Sequence, residues 1–255
     1  TDEESVSSES ISNELGTEIE RMYKNETSES ITLAFDKTRA DDRKIWIGNP
    51  CDEIEKDELK SITYTNFIDK NLKLFSIENC ARAIPSICDG LKPSQRKALF
   101  GGFEKKLFKP TDDMKVFQFG GFIADKAAYH HGDASINQTI ISMGANYVGS
   151  NNLNLLFPSG QFGTRHEGGK DCASPRYTFT HLSSITPFLF RSEDFPVLNY
   201  LNDDGKSIEP EYYPPIIPTL LANGSNGIGT GYASTVQTYN PLDIIKNLRL
   251  RINKK

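Results

Sequence analysis

The chain has 255 residues with a formal net charge of -5, and 37% of them are hydrophobic, which is enough to bury a core as one large or two modest domains. It begins at Thr1 without a signal segment, and no apolar run approaches the roughly 20 residues a membrane span needs, so an internal, soluble part of a longer protein is expected. The acidity is local: residues 1–60 hold 17 acids against 8 bases, whereas residues 61–255 hold 17 against 21, a balance that permits a nucleic-acid patch.

Residues 1–10, rich in serine and glutamate, are expected to be disordered for want of apolar surface. A short helix is expected over 12–22, where Leu15, Ile19 and Met22 recur behind a Ser12 cap. A polar loop follows, then an alternating strand over 31–35, a short helix over 40–47 and an acidic connector over 48–61. Cys51, Cys80, Cys88 and Cys172 lack zinc-type spacing and disulfide density, which fits a reducing compartment. Cys80 and Cys88 read as buried thiols in helical surroundings.

Past Ile62, helices are expected over 76–83, ending before Pro85, and over 92–107, with Leu99, Phe103 and Leu107 on one face. A loop at 110–113 leads to a small helix over 116–127, interrupted by Gly120 and Gly121. Over 133–148 the helical signal is clearest: Ile136, Ile140, Met143 and Tyr147 share a face, with Asp133 or Ser135 as cap. Preceded by the 92–107 helix, it takes the place of a recognition helix in a helix-turn-helix, with Asn137, Gln138 and Ser142 toward a duplex. The alternative is an ordinary amphipathic helix on a core. Residues 151–163 read as wing strands and the glycine-rich 163–173 as a flexible wing loop, because its spacing matches no nucleotide fingerprint. Residues 181–222 read as a mixed unit with extended segments at 187–190, 197–201 and 212–221 and a turn at 203–206. A last helix over 241–252 places Leu242, Ile245, Leu248 and Ile252 on one face.

Tyr177, next to Arg176, is the candidate for chemistry. A phenol, with a pKa of about 10, is a poor nucleophile near neutrality unless a cation, base or metal stabilises the phenolate. An arginine fork also matches phosphate oxygens. The same stretch alternates like a half-buried strand in which a tyrosine merely packs. His130 and His131 are adjacent, but no second Cys/His cluster completes a metal site.

Five blocks occur in one order: 84–97 (Ile-Pro-Ser-Ile-Cys-Asp-Gly-Leu-Lys-Pro-Ser-Gln-Arg-Lys), 129–133 (Tyr-His-His-Gly-Asp), 162–165 (Phe-Gly-Thr-Arg), 168–177 (Gly-Gly-Lys-Asp-Cys-Ala-Ser-Pro-Arg-Tyr) and 223–231 (Asn-Gly-Ser-Asn-Gly-Ile-Gly-Thr-Gly). Through them, residues 62–251 resemble the breakage-reunion region of type IIA DNA topoisomerases of the eukaryotic kind, from cells or large DNA viruses. The resemblance implies an α+β, winged-helix DNA-cleavage domain over 62–180, preceded by the tail of a metal-binding Toprim domain (1–50) and a linker (51–61). The start of a tower or shoulder domain follows over 181–255.

It further implies that Tyr177 attacks a DNA phosphodiester and forms a reversible 5'-phosphotyrosyl link. Arg176, His131, Arg82 and Lys92 would stabilise the phosphate oxygens, and Arg96, Lys97 and Lys170 would contact the backbone. His130 would support them, Asn137 and Gln138 would face the duplex, and Ile228 would wedge between base pairs. The implied cofactors are Mg2+, held by Toprim ligands outside this chain, and ATP, used by a region also outside it. No metal site is expected within the chain. The implied partners are double-stranded DNA and a second copy of the protein, with no membrane, so the piece alone should bind DNA better than it cuts it. Departures at Asp133 and Glu167 leave the host open, with a nucleus for a cellular enzyme and host cytoplasm or virion for a viral one. Two rivals stand beside this reading. One is a non-catalytic winged-helix module, and the other is a nucleotide-binding enzyme using loop 223–231, which lacks the phosphate-binding lysine signature.

Overall fold

One 28-residue helix, α1 (Ser8–Phe35), runs through the stretch where a short helix, a loop and a strand were expected. Five alternating residues are too few to separate a strand period from a helical one, and tertiary packing overrides weak propensity. That packing comes from α2 (Ala40–Gly48), α3 (Tyr64–Asn66) and the π-helical turn Phe67–Leu72. The polar run before Ile31 turns mostly outward, with Ser30 buried. Arg43 closes the end of α1, its Nη1 donating to the carbonyls of Leu33 (3.0 Å) and Asp36 (2.7 Å), near the last turn where carbonyls have no helical partner. Trp46 Nε1 donates to Asp69 Oδ1 (3.0 Å) and ties α2 to the π turn.

The helix continues as α4 (Lys73–Ala83), so the run expected from residue 76 begins at Tyr64. The computed structural model describes residues 8–50 and 62–253; the connector over 51–61 and residues 1–7 lie outside them. The chain separates into two units, Thr1–Cys80 with Ile228–Ala233, and Ala81–Gly227 with Ser234–Lys255. The division thus falls within α4 and not near Ile62, because residues 64–72 pack against α1.

In the second unit α5 (Pro93–Glu104), α6 (Val116–Lys126) and α7 (Asp133–Gly144) pack together. They meet an antiparallel sheet of β1 (Met114–Lys115), β2 (Leu156–Ser159) and β3 (Phe179–Leu182), with β3 central. Leu99, Phe119, Ile123, Ile136, Ile140, Leu156 and Leu182 are fully buried between them, each contributing about 1.5–3 kcal/mol on leaving water. This is an α+β winged-helix fold. The helix that turns into α7 is α6, with α5 packed on both, so the helix-turn-helix pair is not the one expected.

Gly120 and Gly121 do not interrupt α6. A Cβ at Gly120 would lie 2.5 Å from Asn137 Oδ1, so the glycine permits the close approach of α6 and α7. Helix α7 starts after Gly132 without a side-chain cap and ends before Tyr147.

Residues 187–189 fall in α8 (Thr186–Leu189), with Phe190 as its extended C-cap, and not in a strand, since Pro187 at a helix start needs no donor. β4 (Tyr200–Asp203) and β5 (Lys206–Pro210) form a hairpin. Its turn has Asp204 at φ 47° and Gly205 at φ 81°, the left-handed pair that matches strand twist. The stretch over 212–221 is irregular as far as α9 (Thr219–Asn223). β6 (Ser225–Ile228) pairs with β7 (Ala233–Val236), and α10 (Pro241–Asn253) ends the described chain. Its buried residue is Ile244, while Leu242 and Ile252 are exposed, so the inward face is rotated from the one expected.

Candidate active site

Tyr177 ends a tight turn that the proline in Ser174-Pro175-Arg176-Tyr177 pre-sets: its amide donates to Ser174 O at 2.8 Å. The next residue, Thr178, is fully buried, whereas Tyr177 is 78% exposed. The phenol therefore projects from a backbone held on its C-terminal side. Tyr213 is the contrast. Only 1% exposed, it lies among the rings of Phe103, Phe190 and Phe195, and burial pushes its phenol up, so it has neither the access nor the acidity of a nucleophile. The Arg176 guanidinium lies over the Phe117 ring, 5.6 Å from its centroid.

A second cluster surrounds a cavity of about 530 Å³ lined by Arg82, Lys97, His130 and His131 among others. The loop between α6 and α7 builds one wall. There Ala128 takes a left-handed φ of 46°, Tyr129 Oη donates to Ser135 Oγ (2.9 Å) and the His131 ring meets Tyr129 edge-on. His130 Nε2 pairs with Asp203 Oδ2 at 2.9 Å. The Lys97 ammonium donates to Ala127 O and to the buried carboxylate of Glu209, 2.9 Å away. Cations and imidazoles around an open space can take an oxyanion such as phosphate. Tyr177 and Arg176 are not among the residues lining it.

Arg96 and Asn137 are corrections. Arg96 is 6% exposed and grips Asp89 through Nε (2.7 Å) and Nη2 (3.0 Å). Asp89 in turn accepts the amides of Leu91 (2.9 Å) and Tyr213 (3.1 Å). Arg96 thus belongs to a buried junction and cannot reach a DNA phosphate. Asn137 is 5% exposed beneath Gly120, so it faces α6 and not a duplex, whereas Gln138 is exposed. Lys92 precedes α5, and its Nζ donates to Asn226 O at 2.8 Å. Ile228, at the end of β6, is 76% exposed.

Lys170 is exposed on the glycine-rich loop, which is cross-tied, contrary to the flexible loop expected. The Asp171 carboxylate accepts Thr164 N (2.8 Å) and Gln161 Nε2 (3.1 Å), and Gly169 N donates to Thr164 O (2.9 Å). The Thr164 amide holds the Asp171 carboxyl below its ordinary value. Gly163, at φ 99°, lies so near Gly169 that a Cβ would be 2.5 Å from its Cα. Cys88 is exposed in a turn and not buried in a helix.

Phe117, Asp203, Glu209 and Asp89 position these groups and carried no sequence signal as partners, since each meets its partner only through the fold. Among the described residues no three His, Cys, Asp or Glu side chains converge on a metal position, and no helix is long and apolar enough to cross a membrane.

Comparison with known proteins shows the family. Residues 82–255 match the sequence profile of the DNA gyrase/topoisomerase IV family, and residues 8–80 that of the C-terminal associated domain of TOPRIM. A probable DNA topoisomerase 2 of Dictyostelium discoideum is 48% identical over 230 residues, covering 89% of this chain and 15% of that protein. The DNA topoisomerase 2 of Acanthamoeba polyphaga mimivirus is 47% identical over 225 residues, covering 88% of this chain and 18% of that protein. The crystal structure of the Plasmodium falciparum topoisomerase II DNA-binding, cleavage and re-ligation domain superposes with a TM-score of 0.77 at 48% identity, covering 90% of this chain and 31% of that one. The chain thus spans under a fifth of the length of these two relatives.

Proposed function

Because this chain belongs to the DNA gyrase/topoisomerase IV family, we propose that it forms the DNA cleavage and religation part of an ATP-dependent type II topoisomerase, with Tyr177 as the nucleophile. The observation that carries this reading is the exposed phenol of Tyr177 on a turn held by the buried Thr178, with the cation of Arg176 adjacent in sequence.

Tyr177 Oη attacks the phosphorus of a DNA phosphodiester and gives up its proton to solvent as the O–P bond forms. The bond from phosphorus to the 3'-oxygen breaks, and that oxygen takes a proton from solvent and departs as the 3'-hydroxyl, so that a 5'-phosphotyrosyl ester remains. The reverse attack by that hydroxyl restores the strand, so religation needs no external energy. Arg176 offers a planar fork to the non-bridging oxygens as charge builds on them. His131 and Arg82, at the cavity, and Lys92, held on Asn226 O, supply further donors along the same strand. Arg176 is exposed, so a phosphate can reach it. Two protomers acting on opposite strands open a gate through which a second duplex passes, and supercoils relax.

A bound Mg2+ would neutralise phosphate charge in this chemistry. In line with the family resemblance, its carboxylates are assigned to Toprim residues outside this chain, and ATP use to a region also outside it. The match of residues 8–80 to a TOPRIM-associated domain supports that assignment.

The test uses the full-length parent protein with supercoiled plasmid, magnesium and a denaturant quench. Wild type is expected to yield linear plasmid carrying protein on its 5' ends, and Tyr177→Phe none. An adduct from the variant would reassign the nucleophile. DNA binding without any adduct from wild type would instead favour the winged-helix module that only binds.

A further inference from the structure

Phe117 is an aromatic residue that the core does not require. Helix α6 buries Val116, Phe119, Gly120 and Ile123, whereas Phe117, in its first turn, is 44% exposed. Its ring carries the guanidinium of Arg176, with Cζ 5.6 Å from the centroid. Its backbone holds the same segment: Phe117 N donates to Pro175 O and Val116 N to Thr178 O, each at 3.0 Å. Amides in the first turn of a helix have no partner within it. Here two consecutive ones bracket Arg176 and Tyr177. Across the adjoining Lys115–Phe179 pair the arrangement is mirrored, with Lys115 Nζ 5.9 Å over the Phe179 ring.

We propose that Phe117 is a positioning residue for Arg176, seating its guanidinium on the segment that carries Tyr177 while leaving its charge available to the scissile phosphate. The assignment rests on the cleavage reading above. Its physical basis is the kind of partner involved. A carboxylate would neutralise the guanidinium and compete with phosphate for its N–H groups, as Asp89 does for Arg96. An aromatic face attracts the cation through its quadrupole and takes up none of the in-plane donors. Among the described residues no carboxylate pairs with Arg176. The seat limits the directions in which a long, exposed side chain points, so less order has to be imposed when DNA arrives.

The experiment measures single-turnover formation of the 5'-protein adduct by the full-length parent on saturating supercoiled plasmid, with DNA affinity and melting temperature in parallel. Phe117→Leu keeps an apolar side chain and removes the ring. It is expected to slow adduct formation about two- to five-fold, the factor that an exposed cation–π contact supports, with affinity and melting temperature unchanged. Phe117→Tyr and Phe117→Trp are expected to restore the wild-type rate. In an Arg176→Ala background, Phe117→Leu is expected to have no additional effect.

A wild-type rate in Phe117→Leu would overturn the proposal. So would an equal loss in the Leu, Tyr and Trp variants, or a full additional loss in the Arg176→Ala background, since each points to a packing role independent of the cation. If Phe117→Leu does not fold, the Tyr and Trp variants and their rates still decide. Absence of any adduct from wild type would overturn the cleavage reading, and this assignment with it.

Discussion

Arg96 and Arg176 sit in the same unit in opposite surroundings. The first lies in a junction where Asp89, with no exposed surface, receives its guanidinium together with the amides of Leu91 and Tyr213. The second is exposed on a turn, with an aromatic ring beneath it. The charge of Arg96 is matched within the fold, and that match joins α5 to the segment around Tyr213. The charge of Arg176 is unmatched and open to an incoming anion. Residue type and motif membership do not separate the two, but the partner does.

The largest effect that would break this comparison concerns stability. Arg96→Met leaves the Asp89 carboxylate buried and unpaired, and is expected to cost about 3–5 kcal/mol in urea unfolding. Arg176→Met should stay within about 1 kcal/mol of wild type yet lower adduct formation by about 10²–10³, the scale for losing one transition-state donor. If both variants unfold alike, the distinction between structural and reactive arginine is wrong.

A smaller effect sharpens the contrast within the wing loop. Gly163→Ala meets a left-handed φ and a blocked Cβ position, whereas Gly168→Ala meets a φ of 58° with nothing within 4 Å. The first should cost about 1–3 kcal/mol and weaken DNA binding through a displaced Lys170. The second should cost about 1–2 kcal/mol and leave binding unchanged. Equal affinities for the two variants would mean that the loop does not present Lys170.

The smallest expected effect is a pH dependence. The Asp171 carboxyl is held below its ordinary value by the Thr164 amide, so the bond is fully present above the usual carboxylate value of about 3.9. It is lost as pH falls through the lower, folded-state value. Hydrogen exchange at the Thr164 amide, corrected for intrinsic rate, should therefore be constant from neutrality to about pH 4 and quicken below it. Asp171→Asn should remove that dependence. Constant protection in wild type down to unfolding would sink the idea.

Much of the second unit was legible in the sequence. The periods over 92–107, 133–148 and 241–252 are long enough to announce helices, and α5, α7 and α10 occupy most of those spans. The Asp-Gly of 203–206 announces its turn by its need for left-handed angles. The N-terminal part was less legible. Its polar residues carry weak propensity, and only packing against α2, α3 and the π turn makes α1 continuous.

Local sequence thus determined helix periods, tight turns and the motif that marks Tyr177, because these depend on residues a few positions apart. Tertiary structure alone decided which cations are free to act. Arg96 is enclosed by Asp89, seven positions earlier, and by the segment around Tyr213. Lys97 is drawn to Glu209, 112 positions away, and Arg176 lies on a ring of α6. Burial and charge pairing depend on how the chain folds back on itself, even where the partner is as near as Asp89, and no local pattern encodes which neighbours will meet.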